Sequence, residues 1–170
     1  MKAAAPLADD LRALYQDIIL DHGRSPRNFR VVEHHTCKAQ GNNPMCGDRV
    51  TVTARVSPAG VLEDVAFEGK GCAISIASAS MMTEAVAGRA LDVAHSLFDA
   101  VHGLCTGKID TEQAKAQMPA QAAPGLADSI DKLAALSGVR QFPVRVKCAT
   151  LPWHALMSCL DGKTQATTEK

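Results

Sequence analysis

The sequence predicts an α+β fold, a small antiparallel three-stranded sheet covered on one face by helices. Two features carry this expectation. Residues 49–56 alternate as Val50, Val52, Ala54 and Val56, turn at Ser57-Pro58-Ala59-Gly60, and resume with Val61, Val65 and Phe67, which is the pattern of a β-hairpin. On either side of that hairpin the chain is helical in character, so the coarse order is helix, strands, then helices.

The first helix is expected over 8–22. Leu11, Leu14, Ile18 and Ile19 form its apolar stripe, acids fill its first turn, and His22-Gly23 closes it. Residues 24–36, with Pro26 and Asn28, read as an irregular connector, and a third strand is expected at 34–40. Gly69-Lys70-Gly71 breaks the chain before Cys72; the Ala-, Ser- and Met-rich stretch 73–88 then reads as a helix, followed by another over 91–104. Residues 105–124 hold Gly107, Pro119 and Pro124 and read as a loop, part of an insertion around 105–138 that ends in a short helix at 125–136. Phe142-Pro143 breaks that helix. A last helix is expected from about Cys148 to Leu160, with Pro152 in its first turn, where a missing N–H does no harm. From about Gly162 the polar residues read as a frayed tail. Length favours a single domain over 1–170.

Composition bounds the function. Apolar residues make up 46% of the chain but aromatics only 4%, so the core must be mostly aliphatic. Lys plus Arg equals Asp plus Glu at 18 each, which gives no net pull toward nucleic acid or acidic lipid. No apolar segment follows the N-terminal residues and no run approaches bilayer length. The expectation is a soluble, cytoplasmic protein with neither nucleic acid nor membrane as partner. In that setting the six cysteines are expected to be reduced rather than paired.

Three of those cysteines sit at structural breaks. Cys46 follows Asn42-Asn43-Pro44-Met45 and precedes Gly47-Asp48; Cys72 follows Gly69-Lys70-Gly71; Cys148 opens the predicted last helix. Cys72 and Cys148 are thus expected at helix N-termini, where dipole and free amides favour the thiolate, the form that binds metal and attacks sulfur. Asp48, two residues after Cys46, shares its side of an extended segment. Gly47 and Gly71 permit close backbone approach. Three thiolates and a carboxylate make a tetrahedral set that zinc accepts. Asp is the harder ligand and suits a site that has to open. Yet Cys72 lies 26 residues after Cys46, and Cys148 a further 76, so spacing alone favours three separate buried thiols.

Other candidates read as structural. Cys159 is three helical turns beyond Cys148, about 16 Å of rise and too far to share an ion, so it is expected in the core. Cys37 and Cys105 are expected bystanders. His34 and His35 point to opposite faces of any strand. His22, His95, His102 and His154 are expected to be surface or satisfied core residues.

Four segments resemble the NifU N-terminal and IscU family of iron–sulfur assembly proteins, and most closely its SufU-type branch. They are Leu14 to His22 with Pro26-Arg27-Asn28, Asn42 to Arg49, Phe67 to Met82, and Arg145 to Leu151 with Trp153. The resemblance implies that Cys46, Asp48, Cys72 and Cys148 bind a metal, zinc in the SufU-like branch and an iron or [2Fe–2S] cluster site in the IscU branch. It implies a sulfur-accepting cysteine, with Cys46 and Cys148 as the residues that carry chemistry, and a SufS-like cysteine desulfurase as partner, followed by downstream iron–sulfur assembly proteins. Lys147 stands where IscU-type proteins have His, and Gln141-Phe142-Pro143-Val144-Arg145 replaces their Leu-Pro-Pro-Val-Lys chaperone signal. Both departures, with the long insertion, favour sulfur transfer over scaffolding. Arg145 and Lys147 are expected to support the Cys148 thiolate. The sequence therefore points to sulfurtransferase-like activity exercised with a partner rather than to a stand-alone enzyme.

Overall fold

The structure, a computed structural model, describes residues 8–119 and 125–167. Helix α1 (Ala8–Arg24) is followed by strands β1 (Cys37–Asn43), β2 (Asp48–Val56) and β3 (Leu62–Lys70). Helices α2 (Ala73–Val86), α3 (Leu91–Thr106), α4 (Thr111–Ala116) and α5 (Leu126–Leu133) come next, then a 3-10 helix over Ala134–Gln141, helix α6 (Pro143–Leu160) and strand β4 (Gln165–Thr167). The sheet order is β3-β2-β1-β4. Both sequence-predicted strands of the hairpin are present and antiparallel, with Val52 opposite Phe67. Val50, Val52 and Ala54 are fully buried on the face that the helices cover, while Lys38, Arg49 and Glu68 stay exposed. Alternation with period two drives this: one face meets apolar helices and the other meets water.

The sheet has four strands rather than the expected three. The extra one comes from the segment expected to fray: Gln165–Thr167 pairs parallel to β1, with Gln40 opposite Gln165. The N–H of Gln40 also donates to the carbonyl of Thr164 at 2.9 Å. Backbone groups on the free edge of β1 supply this pairing, and a three-residue polar strand leaves no hydropathy signature. The third predicted strand is shifted from 34–40 to Cys37–Asn43, because His34 takes a left-handed φ of 54° that turns the chain before the strand begins.

Helix α6 differs most from expectation. It begins at Pro143 rather than near Cys148, because Pro is well suited to a first helical position. Cys148 therefore lies in the second turn and not at the N-terminus, and Pro152 lies inside the helix. Gly41 on β1 lets this helix approach: a Cβ there would stand 2.9 Å from Leu151 Cδ1 and 3.3 Å from Ala155 Cβ. The predicted loop at 105–124 is partly helical. Asp110 accepts from the Gln113 N–H while the Gln113 side chain accepts from the Asp110 N–H, a capping box that starts α4. Residues 120–124 of that expectation lie outside the described residues. Among the described residues no helix is long and apolar enough to cross a membrane.

Two cysteines expected to be reduced are paired instead: Cys37 and Cys159 form a disulfide, with Cα atoms 5.3 Å apart. The start of β1 and the last turn of α6 meet there, a contact 122 residues apart in sequence. Cys105 is the inert buried thiol expected of it; burial pushes it up to about 12.

Helix α1 packs on α2 and on the 3-10 helix, with Tyr15, Ile18 and Ile19 against the buried core, whereas Leu14 of the predicted stripe is 54% exposed. At its end His22 is buried. Ser80 Oγ accepts from the Arg27 N–H and lies 2.7 Å from His22 Nδ1, so its hydroxyl proton is free to donate to that nitrogen. This neutral arrangement agrees with the direction of its titration: burial first, then the Arg27 charge, lowers the His22 pKa from 6.5 despite Glu84 nearby. A depressed value means that the unfolded chain binds the proton more readily, so stability is full above about pH 6.5 and falls as pH drops toward the folded-state pKa. Thermal melting across this range should show that decline, and His22→Asn, which keeps an acceptor for Ser80, should flatten it. Equal slopes for the two proteins would remove His22 from the account.

Candidate metal centre

The hairpin of β1 and β2 builds one wall of the site. Asn43 and Asp48 are its last cross-strand pair, and Pro44-Met45-Cys46-Gly47 connects them as a tight loop. The Cys46 N–H donates to the Asn43 carbonyl at 3.2 Å. Gly47 has φ +71°, and a Cβ there would meet nothing within 4 Å, so it serves the turn rather than a close approach. Cys46 and Asp48 thus meet across a turn and not along an extended segment. Asp48 begins β2 with its side chain inward and 2% exposed, while Arg49 after it is exposed.

The second wall is the start of α2. Cys72 is the N-cap residue, as the Gly69-Lys70-Gly71 break predicts, and its side chain makes no capping hydrogen bond. Its N–H donates to Asp48 Oδ1 at 2.9 Å, an orphan helix donor met by a carboxylate. Gly71 does permit close approach: a Cβ there would stand 2.6 Å from Asp48 Oδ1.

Helix α6 supplies Cys148, which is fully buried with its sulfur 3.3 Å from that of Cys46. Burial first, then hydrogen bonds with Asp48, Cys46 and Cys72, pushes the Cys148 thiol well above its usual range. Of the two cations expected to support a Cys148 thiolate, Arg145 is exposed and Lys147 half-buried.

One ligand atom from each of Cys46, Asp48 and Cys148 lies within 4.8 Å of the other two. Ligands about 2.0–2.3 Å from a tetrahedral ion stand roughly 3.3–3.8 Å from one another, so this set is close to the size zinc requires, with the Cys46 and Cys148 sulfurs, 3.3 Å apart, needing to part slightly. Cys72 is outside that trio, although its thiol also bears on Cys148. The donor set, two or three thiols and a carboxylate, suits zinc and also iron in a cluster.

A model of the NifU-like N-terminal domain matches residues 14–149. The chain belongs to the NifU-like N-terminal domain family. Among relatives of this NifU-like chain, the zinc-dependent sulfurtransferase SufU of Bacillus subtilis (strain 168) is 40% identical over 149 residues, 86% of this chain and 89% of that protein. The iron–sulfur cluster assembly scaffold protein IscU of Streptococcus pyogenes serotype M1 is 35% identical over 156 residues, 92% of this chain and 88% of that one. Among solved structures, the N-terminal region of a nitrogen-fixing NifU-like protein from Brucella abortus has a TM-score of 0.71 at 22% identity, covering 89% of this chain and 95% of that one, and shares the fold.

Sequence reasoning gave no role to Asn43. Its side chain is fully buried at the site, and its position one residue before the ligand loop was the available signal.

Proposed function

We propose that this NifU-like chain is an iron–sulfur cluster assembly protein that takes persulfide sulfur from a SufS-like cysteine desulfurase at a zinc centre held by Cys46, Asp48, Cys72 and Cys148. The supporting observation is the gathering of Cys46, Asp48 and Cys148 from separate elements within 4.8 Å. The likeness to a zinc-dependent sulfurtransferase supports the same reading.

Bound zinc would keep the thiols deprotonated at neutral pH and draw the three segments together. Cys46 is half-buried whereas Cys148 is closed off, so Cys46 is the thiolate that meets the partner. Its sulfur attacks the outer sulfur of the partner's cysteine persulfide. The partner's S–S bond breaks, a new S–S bond forms on Cys46, and the partner cysteine leaves as a thiolate. Asp48 would be the one hard ligand beside the thiolates. Cys148 lies 3.3 Å away, placed to receive the sulfur in a second exchange. Downstream iron–sulfur assembly proteins would take it onward.

A second reading is supported by the IscU likeness: a scaffold on which a [2Fe–2S] cluster is built as cargo and handed on. Protein purified without oxygen separates the two. A colourless sample with one zinc per chain that accepts labelled sulfur from a desulfurase supports transfer; a brown sample with visible absorption supports the scaffold. Asp48→Ala should retain the fold and release zinc to a chelator faster than the parent. Unchanged release would remove Asp48 from the ligand set.

A further inference from the structure

We propose that Asn43 is a positioning residue of this centre, whose side-chain amide holds Asp48 and Cys148 in register by donating to both. The proposal rests on the metal reading above and adds a residue to it. Asn43 is fully buried. Its Nδ2 donates to Asp48 Oδ2 at 3.4 Å and to Cys148 Sγ at 3.6 Å. Its backbone carbonyl accepts from the Cys46 N–H at 3.2 Å. One residue at the end of β1 therefore touches three candidate ligands, two from the hairpin and one from α6. The other Asp48 oxygen is held by the Cys72 N–H at 2.9 Å, so the carboxylate is fixed from both sides.

The amide is kept at a cost. Among the described residues Asn43 Oδ1 is one of two buried side-chain polar atoms without a partner, and burying an unpaired carbonyl is unfavourable. An apolar side chain would avoid that cost but would leave Asp48 and Cys148 without this donor. An N–H on a ligating sulfur fixes the direction in which that sulfur points and draws some electron density from it, and groups that contact the ligands in this way orient them and tune metal sites.

Zinc affinity of the whole chain, read by competition with a chromogenic chelator, tests this. Asn43→Ala should weaken zinc binding by about 10- to 100-fold, and the isosteric Asn43→Asp more, because it sets a second carboxylate against Asp48 and the thiolates. With cobalt(II) in place of zinc, the sulfur-to-metal charge-transfer band of Asn43→Ala should move to longer wavelength, which a mere packing role would not cause. In the parent protein, which needs no variant to fold, the Asn43 side-chain amide resonance should shift on adding zinc. Zinc affinities within twofold of the parent with an unmoved cobalt band overturn the role of Asn43, as does an amide resonance that ignores zinc. A parent chain that takes up no stoichiometric zinc overturns the metal centre itself, a separate outcome.

Discussion

Cys148→Ser should lower zinc affinity by more than about 100-fold, beyond the loss typical of residues that only contact ligands, and should abolish the second sulfur exchange. A serine hydroxyl in that place stays protonated at neutral pH and is a poor zinc ligand, and it cannot form a persulfide. The site also offers no substitute: Cys148 is the one ligand that α6 contributes, and it stands at 3.3 Å from Cys46 in a fully buried position. Because that thiol lies well above its usual range, zinc uptake should release protons and weaken as pH falls. Chelator competition and unbuffered proton release measure the two effects. Cys105→Ser is the control. Its thiol donates to the Leu136 carbonyl at 3.8 Å, away from the proposed ligands, and its zinc affinity should equal the parent's. Parental affinity in Cys148→Ser would take α6 out of the site.

Trp153→Ala should destabilise the fold by about 3–5 kcal/mol, the range for deleting a large buried aromatic. Trp153 is fully buried on α6. Its Nε1–H donates to Ser78 Oγ at 3.2 Å, and that hydroxyl donates to the carbonyl of Ala149. The indole thus joins α6 to α2, and so joins the helix of Cys148 to the helix that Cys72 opens. Trp153→Phe keeps most of the volume and loses the hydrogen bond, for about 1 kcal/mol. Urea unfolding measures both. A loss below about 1 kcal/mol for the alanine variant, far under the expected range, would show that the two helices are held together elsewhere. Zinc affinity should fall with stability in Trp153→Ala, since the ligand-bearing elements lose their common anchor.

The elements that periodicity describes were legible in the sequence. Val50, Val52 and Ala54 alternate and are buried, and the Gly-rich break before Cys72 does place that residue at an N-cap. What was not legible depends on contacts between distant segments. The pairing of Gln165–Thr167 with β1 rests on backbone edges, and the Cys37–Cys159 bond on where β1 and α6 cross. Pro143 reads equally well as a break or as a first helical residue, and choosing the break displaced the start of α6 and gave Cys148 a helix end that it does not occupy. For the site, spacing paired Asp48 with Cys46 but left Cys46, Cys72 and Cys148 as three separate thiols, and their resemblance to known ligand motifs was what joined them. Their meeting comes from Asn43 pairing with Asp48 across a four-residue loop and from Gly41 admitting α6 against β1.

Pro152 stands four residues after Cys148 inside α6. Lacking an N–H, it cannot supply the rung that would tie the Cys148 carbonyl into the helix. The thiol is therefore mounted at a turn that lacks one rung of its ladder, next to the buried indole of Trp153 that ties α6 to α2. A missing rung frees the backbone carbonyl of Cys148 from the ladder, so the residue proposed to receive sulfur sits where the helix has one tie fewer.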